Sequence, residues 1–238
     1  MGYFHHPTLG HTLIDTGYSK FNMRPDGTLQ KLYKPLLGPS VLSDTPLADG
    51  LARLNIALSQ IETVILSHLH PDHIGGLREL PRTRVLVSRA AWQGYRKKTA
   101  IGNALQGIFA DLLPTNVEPR LAFFEDYPEV SLGAKLGRGF DLTGDGAVVV
   151  VPLPGHSIGH FGVCFPASNF VYAADAQWLL SNLLEGSLPG VPLSLIVDDR
   201  RASQASVQRL RNFVAAGGEV MLCHDPMVAD RDEDGEVG

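Results

Sequence analysis

In the segment Ser67-His68-Leu69-His70-Pro71-Asp72-His73, three imidazoles and a carboxylate fall within six residues. Imidazole nitrogens and carboxylate oxygens are the donors that borderline divalent metals prefer. In a chain with nine histidines, chance assembles such a run in about one sequence in a thousand of this composition. Its surroundings strengthen the reading. Glu62-Thr63-Val64-Ile65-Leu66-Ser67 has the character of a buried strand that leads straight into the run. Gly75-Gly76 then lets the backbone leave tightly. His68 and His70, two apart in extended backbone, are expected to face one metal, with Asp72 and His73 turned toward a neighbouring one. The competing reading is a solvated histidine loop.

Further donors stand after strand-like runs. They are His156 in Leu153-Pro154-Gly155-His156-Ser157-Ile158-Gly159-His160, Asp175 after Phe170-Val171-Tyr172-Ala173-Ala174, and His224 after Val220-Met221-Leu222-Cys223. Singly, each is more simply structural. With the first cluster they make seven ligands, His68, His70, Asp72, His73, His156, Asp175 and His224. That is enough for two adjacent ions with positions open to water. Ser67, Ser157 and Cys223 show no evident base partner and are read as packing residues, not nucleophiles.

The rest of the chain reads as strands and helices in alternation. Strands are expected over 11–14, 62–67, 84–87, 121–124, 148–151, 161–165, 170–174 and 219–223. Helices are expected from Pro46 to about Leu54, over 74–80, from Ser88 as cap through Tyr95, over 103–113, and over 200–216 before Gly217-Gly218. Residues 18–45 are rich in Pro, Gly and Ser, with one helix around 29–37 that Pro35 breaks. The pattern implies sheets covered by helices, a layered α/β or α+β domain over 1–226, with a frayed acidic tail over 227–238.

Composition excludes several classes. Hydrophobic residues at 44% and charged residues at 19% of 238 are not those of a disordered chain. A net charge of −5 provides no basic field for nucleic acid. The longest apolar runs, such as 147–151, fall far short of the ~20 residues that span a bilayer. The first residues show no signal-peptide pattern. Two cysteines make no disulfide framework and point to a reducing cytoplasm.

Five segments in order resemble the motifs of the metallo-β-lactamase superfamily. They are Asp15-Thr16-Gly17, the His68-x-His70-x-Asp72-His73 run, Pro154-Gly155-His156-Ser157, Asp175 and His224, spanning residues from about 11 to 226. The resemblance implies an αββα sandwich with metals at one edge of the sheets. It implies His68, His70 and His156 at one metal, Asp72, His73 and His224 at a second, and Asp175 as a bridging carboxylate. Asp15 and His160 match family positions that orient ligands. Family members usually carry one or more strands before the Asp-Thr-Gly motif, where fewer than fifteen residues stand here. Either the first sheet is trimmed or the sequence begins inside a longer chain.

Asp175 takes the place of the ligand cysteine of many true β-lactamases, which points away from antibiotics and toward esters and thioesters. The implied cofactor is a pair of divalent ions, zinc first, with iron or manganese compatible. The implied mechanism is attack by a metal-bound hydroxide, with Asp72 carrying a proton to the leaving group. The motifs most resemble N-acyl homoserine lactone lactonases, which usually carry tyrosine where this chain has Trp178, a candidate pocket residue. The runner-up is a glyoxalase II-like thioesterase, with Arg96, Lys97 and Lys98 as a weak candidate grip for glutathione, though such a run is usually a solvated face. A nuclease lacks the charge and a clamp domain, and a flavodiiron module needs more chain than 238 residues. A non-catalytic metal protein is disfavoured by a ligand set that leaves water positions open. The expected partner is a small-molecule substrate.

Overall fold

A computed structural model describes residues 1–19, 45–186 and 197–226. The expected helix around 29–37 and the acidic tail from residue 227 lie outside the described residues. The chain divides into two compact units, Met1–Phe123 and Phe124–Gly238.

In the first unit, strands Gly2–His6 (β1), Gly10–Ile14 (β2), Ile61–Ile65 (β3), Arg84–Val87 (β4) and Leu121–Phe123 (β5) form one sheet in that order. β1 and β2 are an antiparallel hairpin, and β2 through β5 run parallel. Val64, Ile65, Val85, Leu86 and Val87 are fully buried. Parallel strands covered on both faces read as unbroken apolar runs, which is why β3 and β4 are legible in the sequence. Each such side chain contributes about 1.5–3 kcal/mol by leaving water. Helices Pro46–Arg53 (α1), Pro71–Ile74 (α2), Arg89–Lys97 (α3) and Ala100–Ala104 (α4) accompany this sheet. α1 has Pro in its first turn and buries Leu47 and Leu51, one helical turn apart. Ser88 caps α3, its Oγ accepting from the backbone N–H of Ala90 and Ala91.

Two helices differ from expectation. Over 74–80, the helix begins earlier, at Pro71, and tightens into a 3-10 turn at Gly75–Glu79. Over 103–113, no continuous helix forms. α4 ends at Ala104, Gly107 takes φ +71°, and a 3-10 turn follows at Ala110–Leu112. The apolar spacing fits a helix, but the turn at Gly107 brings the Gln106 carbonyl 2.9 Å from His70 Nε2. A Cβ on Gly107 would lie 3.3 Å from the His70 ring.

In the second unit, strands Glu129–Ser131 (β6), Arg138–Asp141 (β7), Val149–Pro152 (β8), Phe161–Phe165 (β9), Phe170–Tyr172 (β10) and Glu219–Met221 (β11) form a sheet ordered β11-β10-β9-β8-β7-β6. Every pair is antiparallel except β10 with β11, which is parallel. Helices Gly133–Leu136 (α5), Leu180–Glu185 (α6) and Arg200–Ala215 (α7) belong to this unit. Asp199 caps α7 through the backbone N–H of Arg201 and Ala202. The helix then buries Val207, Leu210 and Phe213 in a core with Val149, Val151, Val171 and Val220. The loop after β8 lies against α7. Ser206 Oγ donates to the Pro154 carbonyl at 2.8 Å, and Gly155, at φ +128°, leaves no room for a Cβ, which would fall 2.1 Å from Ser203 N. Among the described residues no helix is long and apolar enough to cross a membrane.

Candidate metal centre

In the first unit, the chemistry-bearing residues gather after β2 and β3. Asp15 sits at φ +62°, a conformation rare for a non-glycine residue. It is held there by its own contacts. Its backbone N–H donates to the Ile65 carbonyl at 2.9 Å, and its carboxylate accepts from Ser67 N at 2.9 Å, Ser67 Oγ at 2.8 Å and His73 Nδ1 at 2.8 Å. Thr16 donates through both its N–H and its Oγ1 to the His73 carbonyl, each at 2.8 Å. The Asp-Thr-Gly segment therefore braces the histidine loop against the neighbouring strand.

These contacts set the tautomers. The Gln106 carbonyl is acceptor-only, so the proton of His70 lies on Nε2 and its Nδ1 carries a lone pair. The Ser67 hydroxyl gives its proton to Asp15 and so accepts from His68 Nδ1 at 3.0 Å, which leaves the lone pair on His68 Nε2. His68 Nε2 and His70 Nδ1 then face each other at 2.9 Å. Two lone pairs at that separation repel, and a cation shared between them relieves it. His73 repeats the pattern. Its Nδ1–H goes to Asp15, and its Nε2 lies 3.4 Å from Asp72 Oδ2, again acceptor against acceptor. An outer hydrogen bond fixing the far nitrogen of each ring is the usual dress of metal-binding histidines.

In the second unit, His156 Nε2 and His224 Nε2 each lie 3.4 Å from Asp175 Oδ2. Asp175 and His156 are buried, whereas the His224 side chain is 43% exposed. Donors about 2.1 Å from a tetrahedral ion stand about 3.4 Å apart, so these spacings are those of ligands around a common cation. The donor set, imidazole plus carboxylate, fits zinc and also suits iron or manganese. His160 is placed differently. Its Nδ1–H donates to the Leu153 carbonyl at 2.8 Å and its Nε2 accepts from the Asp175 N–H at 3.2 Å, so it anchors the backbone that carries Asp175. Trp178 presents its ring nearly perpendicular to both His156 and His224, with centroids 6.3 and 6.2 Å away.

Two residues read as packing do more than pack. Ser67 stands within 3.2 Å of two imidazoles, yet it and Asp15 both meet His73 on Nδ1. A Ser-His-Asp relay needs them on opposite nitrogens, so Ser67 is a brace. The Cys223 thiol donates to Asp175 Oδ1. The signal for it was adjacency alone, since it directly precedes His224. Cys164 is a different case, because burial pushes its thiol up to about 11 and leaves it inert. In the basic run, Arg96 pairs with Glu118 at 3.2 Å on an exposed face, and Lys98 Nζ donates to Gln106 Oε1.

The family model of the metallo-β-lactamase superfamily matches residues 7–217, running through both units. Among curated proteins, the N-acyl homoserine lactonase AttM of Rhizobium johnstonii is 28% identical over 241 residues, covering 93% of this chain and 79% of that protein. A hydroxyacylglutathione hydrolase of Cereibacter sphaeroides is 26% identical over 183 residues, 75% of this chain and 52% of its own length. Among solved structures, an N-acyl homoserine lactone hydrolase with N-hexanoyl-L-homoserine bound at its catalytic metal centre superposes with a TM-score of 0.65 at 18% identity, over 96% of this chain and 80% of that one. The dizinc lactonase AidC superposes with a TM-score of 0.63 at 18% identity, over 93% and 70%. At these identities the structural likeness is one of fold.

Proposed function

Because this chain belongs to the metallo-β-lactamase superfamily and has its fold, we propose that its two donor clusters together hold two divalent ions and that it opens a lactone or simple ester. It is a hydrolytic enzyme of the class that acts on ester, lactone or thioester bonds. His68, His70 and His156 would hold one ion, Asp72, His73 and His224 the other, and Asp175 both. The observation that carries this reading is the facing of acceptor on acceptor, at 2.9 Å between His68 and His70 and at 3.4 Å around Asp72 and Asp175.

When bound, a pair of divalent ions supplies an acidified water and a Lewis acid for the substrate carbonyl. The chain's own residues do the rest. Asp72, whose side chain is 16% exposed where His73 is 2%, is the carboxylate that takes a proton and returns it to the leaving oxygen. Asp15 holds His73, Gln106 holds His70, and His160 holds the Asp175 backbone, so the donors need little rearrangement. Ser67, bound to Asp15, forms no covalent intermediate.

The test is a panel of lactones, aryl esters and glutathione thioesters with zinc-loaded protein and with the same protein after chelation. Lactone or ester hydrolysis that chelation abolishes and zinc restores supports the reading. Activity confined to glutathione thioesters establishes the thioesterase instead, for which a relative of that activity speaks.

Trp178 makes the substrate more specific. An indole offers one N–H donor, no acceptor and a broad apolar face, and here it stands beside both His156 and His224. It would favour an apolar ring or acyl chain and bind a homoserine lactone amide less well. Trp178→Tyr is expected to raise kcat/KM for acyl homoserine lactones by about two- to tenfold, the worth of one neutral hydrogen bond, relative to an aryl ester. A strong wild-type preference for acyl homoserine lactones, unchanged by the substitution, would show that this position does not set specificity.

A further inference from the structure

We propose that Cys223 is a positioning residue, whose thiol donates to Asp175 Oδ1 and so turns Oδ2 toward the histidines with which it would hold metal. The inference rests on the assignment of Asp175 as a shared ligand. The backbone makes the encounter unavoidable. β10 and β11 pair in parallel with Tyr172 opposite Met221, and the ladder continues through Ala173 N to the Met221 carbonyl at 2.8 Å and Cys223 N to the Ala174 carbonyl at 3.3 Å. Residue 223 is thereby set against residue 174, the immediate neighbour of Asp175. Ala174 takes φ +48°, which ends the strand and swings the buried Asp175 out of the sheet register.

The two carboxylate oxygens of Asp175 are thus in different surroundings. Oδ1 receives the Cys223 thiol. Oδ2 stands 3.4 Å from both His156 Nε2 and His224 Nε2. The Cys223 contact on Oδ1 helps fix the plane of the carboxylate in which Oδ2 faces the two histidines. With the donor, one oxygen is kept for the protein and one for the metals. A thiol is a weak donor, but a carboxylate acceptor strengthens the bond, and the backbone N–H donating to His160 holds the same residue from behind. The competing role is ligation, because Asp175, Cys223 and His224 each offer a donor atom within 4.8 Å of the others.

The experiment separates the two roles by metal affinity and spectrum. Zinc affinity is measured by chelator competition on wild type, Cys223→Ala and Cys223→Ser, with thermal melts as the control for folding. Cys223→Ala is expected to lose about 10- to 100-fold in affinity, the usual cost of an outer hydrogen-bond partner. Cys223→Ser, which keeps an O–H donor, is expected to return within about threefold of wild type. The cobalt-substituted wild type is expected to show no thiolate-to-cobalt charge-transfer band. Such a band, lost in Cys223→Ser, would make Cys223 a ligand and overturn the inference, as would wild-type affinity in a folded Cys223→Ala. Metal binding that depends on the cysteine in this way, in a protein that hydrolyses no substrate of the panel, leaves this inference standing and removes the reading of function.

Discussion

Asp72→Asn is expected to lower kcat by about 100-fold or more, the scale of lost general acid–base help, with the metal content of wild type retained at saturating zinc. Asparagine keeps the shape and one donor oxygen of aspartate but has no basic oxygen with which to carry a proton. Asp72 is suited to that task by its place. It lies in α2 beside His73 and is 16% exposed where His73 is 2% and Asp175 4%, so in the proposed assignment it is the carboxylate that an incoming substrate would meet. Steady-state kinetics with elemental analysis of the variant checks this. A kcat within a few-fold of wild type would remove Asp72 from proton transfer, and a drop that tracks metal loss would make it a ligand only.

Asp175→Ala should cost more. In the proposed assignment it is the one side chain that serves both ions, and it is also the acceptor for Cys223 and a neighbour of His156 and His224. Its loss is expected to bring the metal content of the protein below two ions per chain and to lower kcat/KM beyond the roughly 10- to 100-fold that losing an outer hydrogen-bond partner costs. The His160 and Leu153 contacts are made with backbone and remain, so the loop after β10 should still fold. A variant that keeps two tightly bound ions would show that Asp175 does not link them.

The parts of the fold that the sequence displays are those in which one local preference dominates. β3 and β4 are buried on both faces and read as apolar runs. α1 and α3 begin at the Pro46 and Ser88 that mark their starts in the sequence, and α7 ends just before Gly217-Gly218, while its Asp199 cap is visible only in the structure. β1 is hidden because a short hairpin strand with two histidines and a tyrosine lacks apolar alternation. β6 and β7 are only three and four residues long, with polar or charged ends, and β7 needs Gly139, where a Cβ would fall 2.6 Å from Val149 Cγ1. Gly107 breaks a helix that apolar spacing favours, because a long-range contact with His70 decides the local backbone.

The candidate site divides along the same line. The histidine run announces itself by density, and His156, Asp175 and His224 by their places after strands. Cys223 and Gln106 act through a thiol proton and a backbone carbonyl, and their meaning depends on pairing between distant segments. No spacing in the sequence carries that information.

The most direct measurement is the metal content of the purified protein after loading with zinc and removal of weakly bound ions, read by elemental analysis against protein concentration. The proposed assignment requires two tightly bound ions per chain, with His73→Ala and His68→Ala each losing mainly one of them. At most one tightly bound ion in the wild type would contradict it.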